Sequence, residues 1–571
     1  MKAAKEEIDE VGDVMKKRLL WSAGIAMLYI LAVWKVAGIY FETNDDKYFV
    51  EILSGALTGA PDSHTIYMNY FLSWPLSMLY RITVRIPWYG IMLILCHFAI
   101  YTALLQSIGI RMKSVKGYIF SVGLVLCFAL INVYMTLNIQ WTSTAAMLAV
   151  AGYVCLLLRE DCQKGLLLFF FFELAAFLLR DQSMLMIQPL GAAAYIGICL
   201  SGRKEAWKER FKRVAGMILA AGVILVIGYV GNLIGYRGKG WEDYDRFNQA
   251  GVEIFDYSGI PVYEEVKPIL DKYEVTRAEY EAFCNYVTLD WDVSVECAEE
   301  LADYAKNRAE MKTDMVSRLE QAWEKLGAEQ HLIELRVVIA AWLVLLLWTI
   351  LWKRFYLLLP LGGIALGRLT VWGYLIYGGR LLHRVTRPLL AGEIILLVVL
   401  LIWDYSRQES TVKQKKFLVV SAVIFVICCF FSGKLQYSAA VAVQGGQKDY
   451  IQGLVEVEDY CRMHPENSYL LDAWSFGFYR GDVFETRIYG TQNCVYSGGW
   501  FSNSPILYQH MEQYLGRYDK DICLIIYETE DALESRPIIA LLTEKFGSAP
   551  VLEDKFTVSH GGSYLVLRFE A

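Results

Sequence analysis

The sequence predicts an α-helical polytopic membrane protein: about eleven transmembrane helices, one re-entrant or interfacial helix, and a C-terminal α/β domain outside the bilayer. Three observations lead there. The 571-residue chain is 56% hydrophobic, with a mean hydropathy of +0.33, above the ~45–50% apolar content usual for a soluble domain. Uncharged runs recur at about the length that crosses a ~30 Å hydrocarbon core. Lysines and arginines gather in particular connections, as they do on the cytoplasmic side of membrane proteins.

Twelve apolar segments follow in order, at roughly 19–39, 66–82, 88–109, 117–135, 141–158, 164–179, 183–200, 214–235, 335–352, 355–377, 388–404 and 417–433. No small-x-small site follows the first, so it reads as an anchor and not as a cleaved signal. Lys16, Lys17 and Arg18 place the N-terminus inside. The connector "SGRKEAWKERFKR", then Lys353 and Arg354, then "SRQESTVKQKK" also read as inside. Seven candidates between the N-terminus and residues 201–213 conflict with an even number of crossings. Segment 66–82 is the shortest and carries Asn69, Ser73, Pro75 and Ser77. It is read as re-entrant or interfacial, since polar groups at membrane depth are tolerated where they line a protein cavity. The expected division is a cytoplasmic 1–18, a membrane module 19–235 with a first external loop at 40–65, an external insertion 236–334, a membrane module 335–433 and an external domain 434–571. Localisation is then the cell membrane, in a bacterial host.

Between Trp241 and Glu334 acidic residues outnumber basic ones 23 to 9. Helical periodicity there, with Thr276 and Ser294 as N-caps, suits a solvated helical hairpin between the two halves of the membrane bundle, or an acceptor-binding or gating element. In the last block "NSYLLDAW", "CLIIYE" and "SYLVLRFEA" read as strands, and "ILYQHMEQYLGRY" and "SRPIIALLTEKFG" as helices. Of twelve cysteines, Cys284 and Cys297 could pair, and unpaired thiols suit the pattern as well. No Cys/His metal spacing and no phosphate-binding glycine motif is present. No cofactor is assigned, and no motif supports a divalent metal.

Candidate chemistry lies in polar connections. Asp45 and Asp46 follow the first apolar run, and "DKYFVEILSGALTG" predicts a short helix along the membrane surface, closed by Gly55 or Gly59. Acids there stabilise a helix N-terminus. Beside a low-dielectric cavity a carboxylate also suits general-base work. His64, with Asp62, is either a solvated loop residue or a contact to phosphate or a substrate hydroxyl. The loop "YGGRLLHRVTRPL" carries Arg380, His383, Arg384 and Arg387 on the side predicted to be external. Such a cluster either neutralises the acidic insertion or binds a lipid-linked phosphate. Arg180 and Asp181 interrupt two apolar runs, as a local pair or as part of that phosphate site. Asn138, Gln140, Thr142 and Thr144 of "LNIQWTST" are expected on the same side, to hydrogen-bond a sugar.

Together these residues resemble the GT-C superfamily of membrane glycosyltransferases, such as protein O-mannosyltransferases and lipid A aminoarabinose transferases. The motif-level match is "NDDKYFVEILSGALTGAPDSHTIYMN": an acidic pair after the first span, a surface helix, then a basic residue, His64, where relatives carry Lys or His before two prolines that are absent here. The order of seven spans, an external block and four spans matches as architecture. The resemblance implies a polyprenyl-phosphate sugar donor, Asp45 as base with Asp46 beside it, and Arg180, Arg380 and Arg384 on the leaving phosphate, with His64 and His383 nearby. The expected partners are the donor lipid, an extracytoplasmic acceptor (glycan, lipid or protein) and the bilayer; no nucleic acid is expected. A non-catalytic transporter or assembly factor for envelope polysaccharide is the other reading. Spans nearly bare of deep polar residues weigh against it.

Overall fold

The computed structural model describes residues 2–112, 114–201, 206–289, 292–312, 316–317, 319–320, 323–324, 332–379, 381–407, 411–477, 479–486, 493–515, 520–529 and 533–571. Parts of the basic connectors at 202–205 and 408–410, and Arg380, lie outside them.

Among the described residues nine helices are long and apolar enough to span a bilayer. One of them, Cys162–Ser201, is broken at Arg180, whose φ and ψ of −159° and 101° are extended. Gln188 Nε2 donates to Glu173 Oε2 at 2.9 Å. Fifteen residues of straight helix would hold those groups ~22 Å apart, so the two halves form an antiparallel hairpin. Counting the halves separately and adding the 17-residue Val115–Ile131 brings the apolar segments to eleven.

Helix Trp141–Leu158 is the axis of the bundle. All 18 of its residues are buried, as expected of a helix apolar all round. Gly191 approaches it so closely that a Cβ would lie 2.1 Å from the Tyr153 ring.

Helix α3 (Tyr70–Ile82) covers the expected interfacial segment. It buries Ser73, Leu76, Ser77 and Tyr80, one stripe at helical spacing. At its start Asn69 N bonds Leu178 O at 2.9 Å and Asn69 Nδ2 bonds Gly228 O at 2.8 Å. At its end the Tyr80 hydroxyl accepts from Tyr89 N, and the Tyr89 hydroxyl donates to Asp46 at 2.7 Å. Both ends of α3 therefore lie at one end of the bundle. Its 13 residues, about 20 Å of helix, run across that end.

The opposite end is basic. Arg18 bonds Gly109 O, Arg111 bonds Ser406, Arg159 bonds Gln106, and Arg354 lies 3.7 Å from Asp404.

The last apolar helix, Val412–Met463, has 52 residues and is about 78 Å long. It leaves the bundle and packs Leu454, Val457 and Cys461 into a second core. That core belongs to a five-stranded sheet ordered β4-β3-β5-β7-β6. Strands β3 (Tyr469–Leu471), β5 (Ile522–Tyr527) and β7 (Ser563–Phe569) are the three expected from sequence. β4 (Cys494–Tyr496) has three residues, and β6 (Val551–Thr557) is an exposed, charged edge. β3 runs parallel to β4 and β5, whereas β7 is antiparallel to β5 and β6. The predicted helices fall at Pro505–Leu515 and Pro537–Phe546.

The acidic insertion packs against the sheet domain. Tyr244 Oη donates to Trp500 O at 2.6 Å. Lys545 holds Glu279 and Asp292, each at 2.6 Å, and Thr288 N bonds Ser497 O. Thr276 caps its helix in a capping box with Glu279. Cys284 and Cys297 are free thiols, so the possible disulfide does not form.

Candidate active site

The first loop is anchored before it is functional. Strand β1 (Tyr40–Phe41) pairs in parallel with β2 (Asn138–Ile139), and Phe41 N bonds Gly481 O. This ties the end of the first span to the axis helix on one side and to the sheet domain on the other. Helix α2 (Asn44–Ser54) starts immediately, with Asp45 and Asp46 in its first turn, and ends at Gly55 in the left-handed region (φ 81°). A Cβ at Gly55 would meet Ala60 backbone at 2.3 Å, so the chain can turn back here only with glycine.

Helix α2 is enclosed by protein on two sides. Phe49 and Leu53 join the membrane core, and Tyr48 and Ile52 join the core of the sheet domain. Being sandwiched buries its charges as well. Lys47 Nζ sits 4.6 Å and 4.7 Å from the Tyr479 and Tyr496 rings, bonds Tyr496 Oη at 3.0 Å and lies 3.7 Å from Glu51.

The acidic pair divides. Asp46 is completely buried and accepts from Tyr89 Oη (2.7 Å), Trp141 N (3.2 Å) and Thr43 Oγ1 (3.3 Å). Burial pushes its carboxyl well above the ordinary aspartate value, against those donors. Asp45, one residue earlier, faces a cavity of about 560 Å³. Arg384 Nη1 lies 3.2 Å from its Oδ2. Arg180 enters from the break between the hairpin helices, with its guanidinium 4.4 Å from the centre of the Trp141 ring and 5.3 Å from that of Tyr67. The aromatic floor suits a weakly hydrated guanidinium. The insertion supplies Asn248 and Asp256 to the wall, and the sheet domain supplies Trp474 and Trp500.

Asp45, Arg180 and Arg384 are thus brought together from three distant parts of the chain. His64 is not on this cavity. Its Nδ1 is 2.7 Å from Asp62 and its Nε2 is 3.0 Å from Gly235 O, and its ring stacks on Trp241. Asp62 is held below the ordinary value: burial would raise it, and the bonds from His64 outweigh that. His383 opens helix His383–Tyr405 and does not line the cavity. Arg387, one turn beyond Arg384, is buried, with its guanidinium 3.6 Å from the centre of the Tyr134 ring and 3.7 Å from Glu334. Buried Glu42 stands near both arginines. Its carboxyl is raised by burial, and Arg387 and Arg384 pull it back.

The polar run 137–144 behaves differently from the sugar contact expected of it. Gln140 caps the axis helix by accepting from Thr142 N and Ser143 N, Thr144 bonds His97, and Asn138 is buried in the β1–β2 pair. Capping and the bond to His97 use Gln140 and Thr144, Asn138 is buried away from the cavity, and Trp141 alone of the run reaches it. The aromatic lining of Tyr48, Tyr67, Trp141 and Trp500 went unseen in sequence. Its only local signal is the density of aromatic residues beside polar turns. No group of three or more His, Cys, Asp or Glu side chains positioned for a metal occurs among the described residues.

No family model matches the chain, and no curated protein does. Among solved structures it is similar to ArnT from Cupriavidus metallidurans in the apo state, at 10% identity and a TM-score of 0.33, over 97% of this chain and 98% of that one. The same protein bound to undecaprenyl phosphate gives 10% identity and a TM-score of 0.32 over the same shares. Similarity at that level transfers no residue roles.

Proposed function

We propose that this chain is a membrane glycosyltransferase of GT-C type, taking a sugar from a polyprenyl-phosphate donor to an acceptor outside the cytoplasm. The observation that carries the reading is the cavity that sets the carboxylate of Asp45 against two guanidiniums, Arg384 and Arg180, at one end of an apolar bundle. That end lies opposite the end rich in Arg18, Arg111, Arg159 and Arg354. By the positive-inside bias it faces outward.

Two arginines can clamp a phosphate bidentately where a charged leaving group develops. Phosphate would draw Arg384 away from Asp45 and leave that carboxylate to accept a proton. The acceptor hydroxyl then gives its proton to Asp45 and its oxygen bonds the anomeric carbon. The bond from that carbon to the phosphate oxygen breaks, and the polyprenyl phosphate leaves as the anion held by Arg384 and Arg180. Asp46 stays out of the chemistry. Its bonds to Tyr89 and Trp141 fix the first turn of α2 and so aim Asp45.

The test is transfer from a labelled polyprenyl-phosphate sugar in membranes. Asp45→Asn should lower transfer by about 10²–10⁴-fold while leaving donor binding in place. Unchanged transfer would remove Asp45 as base. Sugar export without any donor-dependent transfer would favour the transporter reading.

A further inference from the structure

A second cavity, of about 660 Å³, opens on the sheet domain. It sits at the carboxyl ends of the parallel strands β3 and β5, where open α/β sheets bind ligands. Trp474 follows β3, Tyr527 ends β5, Arg536 precedes helix Pro537–Phe546, and His560 lies in the β6–β7 turn. Tyr450 reaches it from the long helix. Trp474, Tyr450 and Tyr527 are 48%, 54% and 37% exposed. Large rings held open around a concavity mark a binding surface and not a core. Tyr527 is fixed in place by edge contact with buried Tyr564, 5.3 Å between centroids, and Arg536 is braced on Thr529 Oγ1 at 2.8 Å.

Two features limit the ligand. Trp474 and Asn285 line both this cavity and the one that holds Asp45, so the two adjoin. Tyr450 stands 17 residues beyond the last apolar run, about 25 Å along the helix, so the second cavity is clear of the hydrocarbon. A ligand reaching from one cavity to the other is therefore extended and hydrated. It must offer flat C–H faces to aromatic rings and hydroxyls to the donors between them. A saccharide chain has that chemistry.

We propose that the second cavity is the acceptor subsite and that the acceptor is a saccharide chain, laid past Trp474 and Asn285 so that one hydroxyl reaches Asp45. This rests on the transfer reading above.

The experiment immobilises the full chain in detergent and passes over it the oligosaccharides released by mild acid from the host's own envelope. Retained species are read by mass spectrometry, and polyprenyl-phosphate binding is measured on the same samples. Wild type and Asp45→Asn should both retain a discrete set of oligosaccharides. Tyr450→Ala and Arg536→Gln should each lower retention at least tenfold while still binding polyprenyl phosphate, which also shows that they fold. No retention by wild type, or equal retention by both variants, overturns the subsite. Retention with transfer undiminished in Asp45→Asn leaves the saccharide site standing and removes the base.

Discussion

Arg384 Nη1 lies 3.2 Å from Asp45 Oδ2, across 339 residues of sequence. The pair is half-buried, with side-chain exposures of 28% and 19%, so it is neither a screened surface contact nor a sealed core pair. It can be opened by a competing anion. Asp45→Asn is therefore expected to lower kcat by about 10²–10⁴-fold, the range for loss of a general base, with the donor KM within a factor of a few. Arg384→Ala should act on both constants and lose about 10²–10³-fold in kcat, as when a donor to a developing anion is removed. Steady-state transfer kinetics with the two variants side by side check this. Equal losses in donor KM for both would mean that Asp45 binds and does not catalyse.

Asp46 makes an opposite prediction about charge. Its carboxyl is raised by burial, so the folded chain holds a proton that the unfolded chain releases at ordinary aspartate values, about pH 4. Between that pH and the raised value the folded state binds more protons, and stability falls as pH rises. Asn keeps an oxygen to accept from Tyr89 and Trp141 without the charge. The melting temperature of Asp46→Asn relative to wild type should then climb as pH rises above about 4 and level off once the raised value is passed. A pH series of thermal unfolding in detergent reads it. A difference that shrinks with pH would mean that Asp46 is ionised and stabilising in the fold.

What sequence could see, and what it could not, follows from the range of the forces involved. Apolar runs and basic connectors are local, and so are the strands "YLL" and "ICLIIY". They are legible because the length of a continuous apolar run depends on neighbours alone, and both strands are buried almost throughout. Asp45 could be singled out because acids after an anchor are conspicuous, and Arg180 because a charge interrupts an apolar hairpin. Which of Asp45 and Asp46 faces the cavity could not be read. That depends on the β1–β2 pair, two residues long on each side and 98 residues apart, which rotates α2 against Trp141. His64 misled because a histidine beside an aspartate suits a site as well as a loop clasp. The difference is Gly235 O and Trp241, far along the chain.

Lys47 offers a test of how α2 and the sheet domain are joined. Its ammonium is buried with Glu51 among Tyr48, Tyr479 and Tyr496, two of those rings coming from the sheet domain. Removing one member of a buried pair costs about 3–5 kcal/mol, because it leaves the other charge uncompensated. Lys47→Met should therefore destabilise the chain strongly and loosen the sheet domain, whereas Lys47→Met with Glu51→Leu should recover most of the loss. Thermal unfolding with limited proteolysis of the sheet domain distinguishes the two. A double variant no better than the single one would mean that the cation–ring contacts, and not the ion pair, hold the joint.

Helix α3 carries the last prediction, because the sidedness of the whole chain depends on it. If it crossed the membrane, the first loop and Trp88 would lie on opposite sides, and Asp46 could not meet Tyr89 at 2.7 Å. Exposed positions flank it: Ala60 before and Arg85 after. In a chain whose other accessible thiols are blocked, cysteines placed singly at 60 and 85 should both react with an impermeant maleimide added outside intact cells. A cysteine at Lys353, at the basic end, should react only after permeabilisation. Labelling of 60 and 85 from opposite sides would make α3 a span. It would also put Arg180 and Arg384 across the membrane from Asp45, ending the proposed phosphate site together with the topology.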